Sequence, residues 1–73
     1  YGLAAYAYTS DLNRSWRLAE RLEAGTIGIN DAVPSTSNCP FGGVKESGMG
    51  RELGIEGIEA FLETKHVSYG GVE

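Results

Sequence analysis

Three observations predict an α/β fold with parallel strands. An apolar run opens the chain, an amphipathic helical stretch follows it directly, and a short β-branched run comes next, which is the order of a strand–helix–strand crossover unit. Behind that unit lies a second informative region, Pro40 to Glu52, with four glycines between Gly42 and Gly50. Such a density of glycine implies close backbone approaches or conformations that a Cβ forbids.

Tyr1-Gly2-Leu3-Ala4-Ala5-Tyr6-Ala7-Tyr8-Thr9 is continuously apolar and aromatic and reads as a strand buried on both faces. Ser10-Asp11 then offers an N-cap and a first-turn acid. Leu12, Trp16, Ala19 and Leu22 form one helical stripe, with Arg14, Arg17, Glu20, Arg21 and Glu23 on the other faces, so a helix is expected from about Asp11 to Ala24. Gly25 stands where a left-handed residue would end it. Thr26 to Asn30 is the second strand.

A parallel pair buried on both faces requires covering layers, and 73 residues supply too little material for them. The chain is therefore expected to be a piece of a longer polypeptide. Asp31 to Cys39, with Pro34 and three hydroxyl residues, is a loop leading into the glycine-rich stretch. Beyond it, Ile55, Ile58 and Leu62 mark a short helix with Glu52, Glu56, Glu59 and Glu63 opposite, a solvated acidic face rather than a cation site. Gly54 and Gly57 disfavour helix by about 1 kcal/mol each, which puts its start near Ile55 or brings a neighbouring segment close. Thr64 to Tyr69 alternates polar and apolar residues and reads as an edge strand able to pair with another subunit.

Composition narrows the function. Six Lys and Arg against ten acidic residues, a formal net charge of −4, leave no footprint for nucleic acid. No apolar run approaches the ~20 residues that span a bilayer, so no membrane partner is expected. A lone cysteine fits a reducing compartment, and a cytoplasmic location is the expectation.

Few residues could do chemistry unaided. The glycine stretch fits neither the Walker A pattern nor the GxGxxG fingerprint, so turn-making outweighs phosphate cradling. Cys39, in a loop between Asn38 and Pro40, lacks an activating neighbour and reads as a neutral packing cysteine; His66 reads as a surface-strand histidine. Neither a metal signature nor a catalytic constellation is present, so no catalytic, cofactor-binding or metal residue is assigned.

Pro40-Phe41-Gly42-Gly43-x-Lys45-x-Ser47-Gly48-x-Gly50-Arg51-Glu52-x-Gly54 closely resembles the C-terminal signature of the NAD(P)-dependent aldehyde dehydrogenase superfamily. The likeness extends through Tyr1-Gly2-Leu3-Ala4, Thr9-x-Asp11-Leu12, Gly25-Thr26 to Asn30 and Glu63-x-Lys65, covering essentially the whole chain. It implies the C-terminal part of the catalytic domain over residues 1–63, and an oligomerisation-domain strand and tail over 64–73. By the same resemblance, NAD or NADP, the nucleophilic cysteine and the general base belong to upstream parts of the parent enzyme, and the isolated piece is inactive.

The resemblance further implies a small-molecule aldehyde as substrate and a homo-oligomer, dimer or tetramer, formed through Thr64 to Tyr69. Phe41 resembles the family's aromatic pocket residue, whose ring packs the aldehyde's carbon chain. The segment from Gly48 to Gly71 is most similar to the succinate-semialdehyde dehydrogenase subgroup, in which Ser35 matches a serine that hydrogen-bonds the distal carboxylate. Val33-Pro34 departs from the apolar pair of that subgroup, and a turn serine remains the other reading of Ser35. Alternatives to this function are a dehydrogenase of another aldehyde and a non-catalytic binding or assembly module built on the same fold.

Overall fold

In the computed structural model, residues 1–71 are described. Strand β1 (Ala4–Ala7), helix α1 (Leu12–Arg21) and strand β2 (Thr26–Ile29) come first, followed by a short 3-10 turn (Lys45–Ser47) and helix α2 (Gly54–Glu59). The two strands pair in parallel, with Ala4 opposite Thr26 and Ala7 opposite Ile29. Residues 72–73, the end of the expected tail, lie outside the described residues.

Helix α1 is capped by Asp11, whose carboxylate accepts from the Arg14 amide at 3.1 Å, and Arg21 in the last turn complements the helix dipole. It ends earlier than expected. Leu22 turns extended, at φ −69° and ψ 129°, while its N–H still bonds the Leu18 carbonyl. Gly25 is therefore not a left-handed cap, and its φ is not positive.

The buried stripe is also displaced. Ser15, Leu18 and Leu22 are the half-buried positions of α1 and its end, whereas Leu12 and Trp16 stay 71% and 64% exposed. Leu12, Trp16, Ala19 and Ile29 instead line an open apolar groove of about 270 Å³. The physical reason is that the sheet has two strands, too narrow to cover the full apolar arc of the helix.

No hydrophobic side chain is fully buried among the described residues. Tyr6 and Tyr8 are exposed, so β1 is not covered on both faces within this chain. Beyond α2, residues 62–71 are exposed throughout, and the expected strand at Thr64–Tyr69 is not formed. A strand needs a ladder partner, and no described residue provides one there. The radius of gyration, 18.1 Å, contrasts with about 11 Å for a compact domain of this length.

Candidate functional site

The glycine-rich loop packs back across the start of the sheet, and Gly2 is the hub of that contact. Its carbonyl accepts from both Gly25 and Val44 amides at 3.0 Å, and its N–H donates to Ser47 Oγ at 2.9 Å. Three segments distant in sequence thus meet on one buried glycine. Gly25 serves the same convergence, because a Cβ there would fall on the Gly42 carbonyl, 2.6 Å from its carbon and 2.9 Å from Gly43 Cα. Its place is fixed by close approach, not by helix termination.

Within the loop, Phe41 and Glu52 exchange two backbone hydrogen bonds of 2.8 Å as an isolated antiparallel bridge. That bridge closes a hairpin-like excursion, inside which Gly48 takes φ 103° and ψ −177°, a region essentially restricted to glycine. Arg51 Nη1 fills the excursion, donating to the Gly43 and Gly50 carbonyls at 2.8 Å and to Met49 at 3.4 Å. A guanidinium held by carbonyls stiffens the loop from inside. Lys45 adds an exposed ion pair to Glu23 at 3.2 Å.

Beyond the bridge, Leu53 sits at φ 60° and ψ 169° as the residue before α2, a conformation that strains any residue with a Cβ. The Gly54 amide bonds the Ser37 carbonyl at 3.1 Å, tying the 31–40 loop to the base of α2. Helix α2 ends at Glu59, so Glu63 does not share its face and the expected four-carboxylate row is broken. No group of three His, Cys, Asp or Glu could hold a metal among the described residues.

Phe41 and Ser35, expected to meet substrate, and Cys39 and His66, expected to be inert, share no hydrogen bond with one another among the described residues. Phe41 is half-buried on the backbone bridge. Ser35 is exposed, and its hydroxyl makes no hydrogen bond among the described residues. Cys39 corrects the expectation of a packing cysteine: it is exposed and free, since the loop that carries it runs over the surface. His66 is exposed in the unpaired segment.

The turn at the carboxyl end of β1 is closed by side chains of its own. The turn from β1 into α1, Thr9-Ser10-Asp11, has no glycine, and the Asp11 carboxylate already occupies the helix N-terminus where a phosphate would sit. In the glycine loop, the amides of Phe41, Val44, Ser47, Gly48, Glu52 and Gly54 donate to backbone carbonyls and fix its path. The loop is a scaffold.

Gly2, Ser47 and Arg51 carry much of this geometry and were not predicted to do so from the sequence alone. Only the spacing of Ser47 and Arg51 within the glycine-rich signature hints at it, because both bonds span backbone that has no periodic pattern.

Fold and loop together define a parallel α/β unit that carries an aromatic residue on a stiffened backbone, with no reactive dyad among the described residues. The aldehyde dehydrogenase family model matches residues 1–67, and the chain belongs to the aldehyde dehydrogenase family. Succinate semialdehyde dehydrogenase of Acinetobacter baylyi is 53% identical over 72 residues, 99% of this chain and 15% of that protein. The mitochondrial succinate-semialdehyde dehydrogenase of Homo sapiens is 52% identical over 71 residues, 97% of this chain and 13% of that protein.

Solved structures agree. Betaine aldehyde dehydrogenase of Staphylococcus aureus in complex with NAD+ superposes with a TM-score of 0.88 at 46% identity, covering 92% of this chain and 13% of that one. Succinate-semialdehyde dehydrogenase of Burkholderia pseudomallei gives 0.76 at 55% identity, over 80% of this chain and 12% of that one. The chain thus spans 13–15% of the length of these curated relatives.

Proposed function

We propose that this chain is the C-terminal part of the catalytic domain of an NAD(P)-dependent aldehyde dehydrogenase that oxidises succinate semialdehyde to succinate. Phe41 forms a wall of the substrate passage, and Ser35 donates a hydrogen bond to the distal carboxylate. The hydride acceptor and the cysteine nucleophile belong to parts of the polypeptide outside this chain. The observation that carries the reading is the Phe41–Glu52 bridge stiffened by Arg51, which holds an aromatic ring at a defined place without help from a reactive group of its own. Support for the substrate comes from the two succinate semialdehyde relatives, each more than half identical over nearly the whole chain. Thr64–Tyr69 pairs with a neighbouring subunit in this reading, supported by its unpaired backbone and by the exposed Val67 and Tyr69.

Steady-state kinetics of the parent polypeptide test it, with succinate semialdehyde set against an uncharged aldehyde of the same chain length. A hydrogen bond to a charged group is worth about 1.5–3 kcal/mol, so Ser35→Ala should lower kcat/KM for the carboxylated substrate ~10-fold or more and spare the uncharged one. Equal turnover of the two aldehydes by the unaltered enzyme removes the carboxylate anchor.

A further inference from the structure

At the carboxyl ends of the two strands, Asn30 makes a contact that the ladder itself cannot. Its N–H still bonds the Ala7 carbonyl at 2.8 Å, but its backbone turns to φ 55°, so β2 leaves the sheet there. The side chain takes over. Thr9 N–H donates to Asn30 Oδ1 at 2.9 Å, and Asn30 Nδ2 donates to the Thr9 carbonyl at 2.9 Å. The polarity is forced, since only the carboxamide oxygen can accept from an N–H and only its nitrogen can donate to a carbonyl.

We propose that Asn30 is a positioning residue for the substrate loop, its carboxamide clasp on Thr9 setting the direction in which residues 31–40 leave the sheet. The loop is then pinned at both ends. At its start the clasp acts together with an Asx turn, in which Val33 N–H donates to Asp31 Oδ1 at 3.0 Å. At its far end the Gly54 amide holds the Ser37 carbonyl and Phe41 pairs with Glu52. Ser35 hangs between these anchors and reaches substrate only as accurately as they hold it. This role deepens the proposed function and rests on it for the identity of the substrate, while the clasp itself has a readout that does not depend on turnover.

Asn30→Asp in the parent polypeptide tests the role, because the two side chains have the same shape. An ionised carboxylate still accepts from Thr9 N–H but turns a bare oxygen toward the Thr9 carbonyl. A protonated one restores both bonds, and that preference for the neutral form raises the pKa of the introduced acid. The defect is therefore largest above that pKa and disappears below it.

At about pH 8 the variant should show a KM for succinate semialdehyde raised ~10-fold over the unaltered enzyme, with kcat for the uncharged aldehyde changed less than ~2-fold. Toward about pH 5 the ratio of variant to unaltered KM should close to within ~2-fold. A normal KM at the higher pH, or a deficit of the same size at every pH, overturns the proposal.

Should Asn30→Asp fail to fold, Asn30→Gly removes the clasp and keeps the left-handed backbone, which glycine adopts without strain. Amide hydrogen exchange at Thr9 and Val33, whose N–H groups are hydrogen-bonded at the start of the loop, should then quicken ~10-fold, and unchanged protection at Thr9 counts against the role. If the unaltered enzyme does not prefer the carboxylated aldehyde, the proposed function fails and the exchange measurement alone decides the clasp.

Discussion

The glycine loop and helix α1 reach their places by opposite means. Backbone polar groups hold the loop: Gly2 serves three partners, Arg51 bonds three carbonyls, and Phe41 and Glu52 bond each other. Its geometry is complete within the chain. Helix α1 has a satisfied N-terminus but an unsatisfied apolar arc, with Leu12 and Trp16 turned into an open groove beside Ile29. Directional bonds can be closed by a short segment, whereas an apolar face needs area from elsewhere. A short chain can therefore fix a loop while leaving an apolar face uncovered.

Steric substitution should separate the two most sharply. Gly25→Ala drives a methyl group into the Gly42 carbonyl, where the obstacle is backbone and cannot rotate away, so a loss of about 3 kcal/mol or more is expected in denaturant unfolding of the parent polypeptide. Gly50→Ala is the internal control, since a Cβ there meets nothing within 4 Å and φ is not positive. It should be neutral or stabilising by up to about 1 kcal/mol through the unfolded chain. Equal losses at both glycines would show that the loop is not packed against the sheet.

Removing the internal cation comes next in size. Arg51→Met keeps much of the stem but strips three carbonyls of their donor, which should cost about 1.5–3 kcal/mol in the same measurement. Arg51→Lys should recover less than half of the loss, because the lysine stem is one atom shorter and its ammonium falls short of the three carbonyls that Nη1 reaches. Full rescue by lysine would reduce the clamp to a charge effect.

The parallel unit was legible in the sequence for the reason that the loop was not. Alternation of strand, helix and strand is periodic, and the pairing of Ala4–Ala7 with Thr26–Ile29 follows from it. Which arc of α1 packs was not legible, because the stripe through Leu12, Trp16 and Ala19 is a real apolar face and only the width of the sheet excludes it from burial. Gly25 shows the same limit: a glycine just past a helix looks like a cap until the chain that passes over it is seen. For the candidate site, Phe41 and Ser35 were singled out only by the signature they resemble, while the Asn30 clasp and the Gly2 hub join residues 21 to 45 positions apart through bonds with no spacing rule.

The smallest effect completes the contrast, and it concerns the contact that looks most like a tether between loop and helix. Lys45 Nζ lies 3.2 Å from Glu23 Oε2, yet the side chains are 48% and 73% exposed. Water and salt screen such a pair, and ordering two long side chains offsets most of the attraction, so Lys45→Ala should shift stability by less than about 0.5 kcal/mol and less still at high salt. The backbone contributes separately. Lys45 holds φ 56°, a left-handed conformation that alanine adopts with no more ease, so the backbone strain stays and cannot mask the loss of the ion pair. Lys45→Gly removes both and should stabilise by about 1 kcal/mol relative to Lys45→Ala. That ordering, glycine above alanine with lysine close to alanine, is expected only if the backbone carries the loop; a salt-sensitive loss above 1 kcal/mol in Lys45→Ala would shift the weight to charge.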